Sequence, residues 1–73
     1  MSSEIPKTMQ ERMDLAEKLA PDFPYHPRDI FEALHIMNLG PEHETGARAF
    51  LDKCQRLNRD PKQYAREAAW GAP

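Results

Sequence analysis

Apolar residues recur at helical spacing in four successive segments of the chain. The strongest pattern runs from Pro27 to about Asn38, where the apolar positions cover more than one stripe and indicate a helix contacted from two sides. The other three segments run from about Met9 to Leu19, from Pro41 to about Asn58 and from Pro61 to about Trp70. No segment shows the alternation typical of a strand. The predicted fold is all-α, a compact bundle of three to four short helices in which helices joined by tight connections pack as neighbours.

Prolines and glycines mark where these helices begin and end. Pro27, Pro41 and Pro61 each stand immediately before an apolar periodic run. Proline is favoured at the first helical position, because the N–H that it lacks has no intrahelical partner there. Gly40 and Gly71 are expected to end the second and fourth helices in the left-handed conformation.

Side chains that can cap a helix also predict where the helices begin. Thr8 and Glu11 have the T-x-x-E spacing of a capping box, which predicts that the first helix starts near Thr8. Asp60 is the expected cap of the fourth helix. The third helix has two possible starts, since it can begin at Pro41 or later with Thr45 as its cap.

The same periodicity predicts which residues face inward. At least one of Phe23 and Tyr25 should pack under the helices, because large aromatic side chains are seldom left fully exposed. Asp14 with Lys18, and Arg48 with Asp52, are expected to form i,i+4 pairs on outer faces. The predicted inward positions are Met9, Met13, Ala16, Leu19, Ala20, Ile30, Phe31, Leu34, Met37, Ala47, Phe50, Leu51, Cys54 and Leu57.

The length of 73 residues allows only one domain, with a small stability margin. We expect a helical domain over residues 8–70, a disordered arm at 1–7 and a disordered tail at 71–73. The chain lacks an apolar run near the roughly 20 residues that cross a bilayer, and its start does not resemble a signal peptide. A cytoplasmic protein is expected.

Charge is distributed unevenly along the chain. Residues 1–46 hold nine acids and four bases, net −5, whereas residues 47–73 hold six bases and three acids, net +3. Such halves can orient a partner or a second copy of the chain, although solvated helix faces are the commoner explanation. With an isoelectric point near 5.9, an acidic protein surface is favoured over DNA as the partner. The predicted partner-binding residues are the bases Lys53, Arg56, Arg59, Lys62 and Arg66, together with Met9 and Met13 on the first helix.

No residue pattern indicates catalysis or metal binding. His26, His35, His43 and Cys54 are residue types that bind zinc, but they lack the short paired spacings of zinc sites. We expect His26 to cap or precede the second helix, and the other two histidines to lie on the surface. Cys54, the only cysteine, is expected to be a buried thiol. We therefore predict a protein without a metal, cofactor or enzymatic activity.

One alternative is a helix-turn-helix-like nucleic-acid-binding protein. The second helix, the Leu39–Gly40 turn and the third helix match the layout of that motif. The N-terminal end of a recognition helix approaches the DNA, and in this chain that end carries Glu42 and Glu44, which a polyanion repels. A protein partner is therefore preferred.

The length of the chain and one tract carry a resemblance to a class of proteins. The tract runs from PYHPRDIFEALHIMNLG through the basic DKCQRLNRDPKQYAR. With helices between loose ends, it resembles the small inhibitors of bacterial RNA polymerase that phages encode. The resemblance implies binding to the polymerase in the host cytoplasm, interference with promoter recognition or termination, and no catalysis. It carries over no functional residue, so the prediction is a monomeric, non-catalytic protein-binding regulator.

Overall fold

The computed structural model describes residues 7–71, which form four α-helices and no strand. Helix α1 spans Lys7–Leu19, α2 spans Pro27–Met37, α3 spans Glu44–Leu57 and α4 spans Pro61–Trp70. One turn of 3₁₀ helix follows α1, and another precedes α3. The all-α prediction is confirmed. Most of the predicted arm and tail lie outside the described residues.

The predicted starts of α2 and α4 are confirmed in detail. His26 caps α2, and its ring nitrogen Nδ1 accepts a hydrogen bond from the backbone N–H of Arg28 at 3.1 Å. Asp60 caps α4 by accepting from the backbone N–H of Lys62 at 3.3 Å. In each case the proline follows directly as the first helical residue, so the cap and the missing N–H act together.

The starts of the other two helices differ from the prediction. Thr8 lies inside α1, which already includes Lys7, so the described residues contain no capping box at Thr8 and Glu11. Pro41 begins a 3₁₀ turn, and the α-helix proper starts at Glu44. The helical segment thus begins at Pro41, one of the two predicted starts, but its first turn is a 3₁₀ turn that widens into an α-helix only at Glu44.

Asparagine, rather than glycine, ends two of the helices. Asn38 and Asn58 adopt the left-handed conformation, with φ of 56° and 57°. After α2, the backbone N–H of Leu39 bonds to the carbonyl of Leu34 at 2.9 Å, which is the long hydrogen bond of a Schellman motif. Gly40 has extended backbone, so the prediction of a left-handed stop there was wrong. The prediction for Gly71 is confirmed, since it closes α4 with φ of 60°.

Helix α2 lies at the centre of the packing. It contacts α1 along one side and α4 along another, as its broad apolar face predicted. Contact between α3 and α4 is much smaller, although these two helices are joined by a short connection. Sequential helices are therefore close neighbours for α1 and α2, but α4 packs mainly on a helix two positions earlier in the chain.

Several residues that the periodicity predicted to face inward are not fully buried. Phe31, Met37 and Phe50 are only half-buried, and Leu57 is 51% exposed. Phe23 and Tyr25 both pack against the core, as expected for at least one of them. Leu15 was not predicted and is buried. The central cluster consists of Leu15, Ala16, Leu19, Ile30, Leu34, Ala47 and Leu51.

Neither of the two predicted i,i+4 ion pairs forms; Lys18 and Arg48 pair across elements, and Arg48 also pairs with Glu44 one turn earlier on α3. Lys18 contacts Glu44 at 3.0 Å instead of Asp14. Arg48 contacts Asp22 at 2.8 Å and Glu44 at 3.1 Å instead of Asp52. The resulting group, which we call the Glu44 network, connects α1, the following 3₁₀ turn and the start of α3. Its hydrogen bonds from Lys18 and then Arg48 lower the pKa of Glu44 below the usual value.

Candidate functional site

The five predicted basic residues do not form one patch. Lys53 and Arg59 approach the same aromatic ring, that of Tyr64. Lys62 lies on another side of α4, where its ammonium is 3.3 Å from the carboxylate of Asp29 on α2. The junction of α3 and α4 therefore divides the bases between separate surfaces.

Intramolecular carboxylates compensate three of these five bases. Lys62 pairs with Asp29, as described above. Arg56 pairs with Asp52 at 3.1 Å, and Arg59 pairs with Glu67 at 2.6 Å. Within residues 7–71, Lys53 and Arg66 have no carboxylate at ion-pair distance. Of the five bases at this junction, two are thus left uncompensated within the described residues.

An aromatic stack lies where α3 meets α4. The rings of Phe50 and Tyr64 are 5.6 Å apart between centroids and inclined by 14°. The ammonium of Lys53 is 5.9 Å from the centre of the Tyr64 ring, and the guanidinium carbon of Arg59 is 5.4 Å from it. Both distances are within the range of a cation–π interaction. Two cations thus border a half-buried aromatic surface.

Arg59 has a structural role at this stack. Its guanidinium holds Glu67 of α4, and its backbone carbonyl accepts a hydrogen bond from the Tyr25 hydroxyl at 3.1 Å. Burial, the largest cause, raises the pKa of Tyr25 above its usual value, so the hydroxyl keeps its proton at neutral pH. Arg59 thereby fixes the α3–α4 connection against the segment before α2.

Leu57 presents an exposed aliphatic side chain on the face of α3 that carries Phe50. On α3, Phe50, Lys53 and Leu57 follow each other at i, i+3 and i+7 and share one face. Leu57 is the last residue of α3. The prediction that it faces inward was wrong, because the buried stripe passes through Leu51 and Cys54 instead. We call the surface formed by Phe50, Lys53, Leu57, Arg59 and Tyr64 the α3–α4 edge.

Sequence reasoning found the bases of this surface and missed its apolar part. Phe50 was predicted to face inward, and no role was predicted for Tyr64. These two residues are separated by the break between α3 and α4, so no local pattern relates them. The sequence holds no signal for the uncovered edge either, because Leu57 continues the apolar spacing of the third helix one turn after Cys54.

The two methionines of α1 are half-buried rather than free. Met13 lines an open groove of about 480 Å³ between the second half of α1 and the start of α2. Phe31 and Pro27 provide further apolar surface, and charged residues border it. The groove residues are Met13, Glu17, His26, Pro27, Arg28 and Phe31.

An arginine that the sequence did not single out connects α1 to the end of α2. The guanidinium of Arg12 lies 3.1 Å from Nδ1 of His35 and donates a hydrogen bond to the side-chain oxygen of Asn38. Its Nε is buried without a hydrogen-bond acceptor among the described residues. Arg12 thus holds the side chain of the residue that ends α2, a role with no signature in the sequence.

Histidine and cysteine side chains are dispersed. His35 and His43 are exposed, as predicted, and the cap role of His26 uses its Nδ1. Cys54 is buried, and burial, the largest cause, raises the pKa of its thiol to about 11. In residues 7–71 no three side chains of His, Cys, Asp or Glu are grouped as they would be around a metal ion.

The start of α3 is acidic, as the sequence indicated. Glu42 is exposed in the 3₁₀ turn, and Glu44 is held by Lys18 and Arg48. Helix α2 packs mainly against α1 and α4 rather than against α3. The segment from α2 to α3 has the order of a helix-turn-helix, and Ile30 and Leu34 share the central cluster with residues of α3.

Two further findings bear on function. None of the helices in the described part of the chain has the length and apolar character needed to cross a membrane. Comparisons of the chain with protein-family models, with curated protein sequences and with solved structures gave no match. Function has to be inferred from the residues and their geometry.

Proposed function

We propose that this protein is a non-catalytic regulator that binds a larger protein through the α3–α4 edge. The observation that carries this proposal is the exposed Leu57 on the same face of α3 as Lys53 and Phe50, whose ring stacks on that of Tyr64. An exposed apolar side chain is by itself ordinary, but one that shares a helical face with an aromatic ring and an uncompensated cation has the composition of a binding surface.

The chemistry of the edge favours a partner segment that is acidic and carries an apolar anchor. Lys53 and Arg59 attract carboxylates, and of these two only Arg59 pairs with a carboxylate within residues 7–71. Leu57 and the aromatic rings provide the apolar contact. Charge then contributes orientation and a faster encounter, while the apolar anchor contributes most of the affinity.

A bacterial RNA polymerase is the partner to test first. This choice rests on the resemblance to phage-encoded polymerase inhibitors, which places such an encounter in the cytoplasm of the host cell. Occupation of a polymerase surface would alter initiation or termination without any reaction at the α3–α4 edge. Met9 and Met13, the second predicted contact region, stay a prediction.

The decisive experiment compares capture by edge variants and by a matched charge variant. Lys53→Glu and Leu57→Ala should each weaken capture of purified bacterial RNA polymerase, and of any protein retained from lysate. Arg56→Glu is the control, because Arg56 also lies on α3 but pairs with Asp52 away from the Tyr64 ring. Equal capture by all three variants would contradict the edge as the contact.

The nucleic-acid alternative has its own test. Duplex DNA binding should weaken steeply with salt if phosphate contacts drive it, because those contacts release counterions. The free cations Lys53 and Arg66 are too few to expect tight binding. Absence of a mobility shift at low salt would remove this alternative, whereas a shift abolished by Lys53→Glu would replace the protein-binding proposal.

A further inference from the structure

The only tryptophan of the chain is exposed at the end of α4. Trp70 has 71% of its surface accessible, the largest exposure among the large apolar residues of the described chain. Lys62, Arg66 and Trp70 follow at i, i+4 and i+8, so they form one strip along α4. Burial of a tryptophan removes about 150–250 Å² from water, which makes Trp70 a strong potential anchor for association.

The groove beside α1 has the properties that such an anchor requires. Its apolar side chains, Met13, Pro27 and Phe31, are half-buried, and the groove opens to solvent. Glu17 borders it and has no ion pair within residues 7–71. Arg28 also borders it, and its guanidinium is 3.7 Å from Glu32 on the same helix. The groove therefore combines apolar surface with one uncompensated carboxylate.

The charges of the two surfaces are complementary. Arg66 lies one helical turn before Trp70 and has no carboxylate at ion-pair distance among the described residues. Glu17 at the groove carries the opposite charge. The same relation holds for the chain as a whole, since residues 1–46 have net charge −5 and residues 47–73 have net charge +3.

We propose that Trp70 of one copy of this chain occupies the groove at Met13 and Phe31 of a second copy, with Arg66 facing Glu17. A second copy is favoured because the chain carries both the exposed aromatic anchor and an apolar groove bordered by the opposite charge. The two surfaces differ, so the contact occurs twice in a twofold dimer or repeats along an open chain. The monomer predicted from the sequence is then the state in dilute solution.

Trp70 itself provides the readout, since no other tryptophan contributes to the fluorescence. At high protein concentration its emission should shift to the blue, and on dilution it should return to the emission of an exposed indole. Sedimentation should show association over the same concentration range. An exposed-indole emission at every concentration, together with a monomer in sedimentation, would overturn the proposal.

Variants test whether the two named surfaces meet. Trp70→Ala should weaken association by about thirtyfold or more, as removal of a central anchor does. Met13→Asp should abolish the concentration-dependent shift with the helical circular dichroism preserved. Association that persists unchanged in Trp70→Ala, whose exposed side chain makes loss of folding unexpected, would refute this contact.

A charge exchange tests the pairing of Arg66 with Glu17. Arg66→Glu and Glu17→Lys should each weaken association by about two- to fivefold, in keeping with a partly exposed ion pair. The double variant should restore most of the loss, and a purely additive loss would contradict the pairing.

Leu57→Ala separates this inference from the proposed function. The substitution changes the α3–α4 edge, so it should weaken capture of the partner protein and leave self-association intact. Trp70→Ala should do the reverse. Failure of one proposal therefore does not imply failure of the other, whereas loss of self-association in Leu57→Ala would count against the Trp70 contact.

Discussion

The inner face and the outer edge of α3 both carry apolar residues, but the two sets differ in how far they are buried. Ala47, Leu51 and Cys54 on the inner face are completely buried. Phe50 and Leu57 on the edge are half-buried and 51% exposed, respectively. Both sets recur at helical spacing, so periodicity alone does not separate them. The difference shows that a helix can present two apolar stripes, of which the remainder of the fold covers only one.

The largest expected change in stability is that of Leu51→Ala on the inner face, compared with Leu57→Ala on the outer edge. Leu51→Ala should reduce the free energy of unfolding by about 2–5 kcal/mol, because it leaves a cavity in the central cluster. Leu57→Ala should change it by no more than about 0.5 kcal/mol. Chemical denaturation of the two variants measures both values with the same substitution on the same helix.

Phe31→Ala provides an intermediate point for this comparison. Phe31 is half-buried beside α1, so its truncation should lower the free energy of unfolding by less than that of Leu51. Equal losses for Leu51 and Leu57 would mean that the edge is covered in solution, and the contrast between the two stripes would fail.

The buried thiol on the inner face should make the fold sensitive to alkali. Burial raises the pKa of Cys54 from 9.0 to about 11. Between these values the folded thiol keeps a proton that the unfolded thiol has lost, so the free energy of unfolding falls as pH rises. The loss should be no more than about 3 kcal/mol, complete once the pH passes the folded pKa. Denaturant titrations at pH 7, 9 and 11 measure it.

Cys54→Ala is the control for the alkaline effect. It removes the titrating thiol and keeps a small apolar side chain, so the variant should lose less stability between pH 9 and 11 than the wild type does. Tyr25 also has a raised pKa, which leaves a smaller residual slope. Identical slopes in variant and wild type would show that the thiol is accessible when folded.

The smallest expected effect concerns the Glu44 network at the start of α3. The pKa of Glu44 is lowered first by its hydrogen bond from Lys18 and then by that from Arg48. Its contribution to stability is therefore present above the usual pKa of 4.5 and is lost as the pH falls through the lower folded value. Thermal unfolding measured from neutral to acid pH should show this loss.

Glu44→Gln tests whether the loss of stability in acid comes from the carboxylate of Glu44. The variant should be slightly less stable than the wild type at neutral pH, and the two should converge in acid, where the wild-type carboxyl is also neutral. Added salt should reduce the neutral difference, because these side chains are partly exposed and screened. A difference independent of pH would mean that the charge of Glu44 contributes nothing.

Local signals in the sequence determined most of the secondary structure. Asp60 followed by Pro61 fixes the start of α4, because the carboxylate accepts from a backbone N–H only two residues away. The same holds for His26 and Pro27 at α2. The strong apolar pattern of α2 likewise predicted contact on two sides, and both α1 and α4 lie against it.

Tertiary structure decided the partners of several charged residues, among them Lys18, Arg59 and Lys62. Lys18 lies at helical spacing from Asp14 and contacts Glu44, while Arg48 contacts Asp22 from another element. A long side chain reaches several carboxylates within a small fold, and the choice depends on how the helices cross. The basic residues at the α3–α4 junction were separated in the same way, since Lys62 pairs with Asp29 on α2.

The sequence by itself determined that this chain forms helices, where α2 and α4 begin and which residue closes α4, because caps, prolines and apolar spacing act within a few residues. Which apolar residues are covered was decided only by how the helices pack on one another, with Leu51 of α3 in one cluster with residues of α1 and α2. That arrangement buries Leu51, leaves Leu57 and Trp70 in solvent and brings Tyr64 to Phe50. An apolar side chain is buried only if another part of the chain packs against it, and the spacing of apolar residues along the sequence does not specify which part that is.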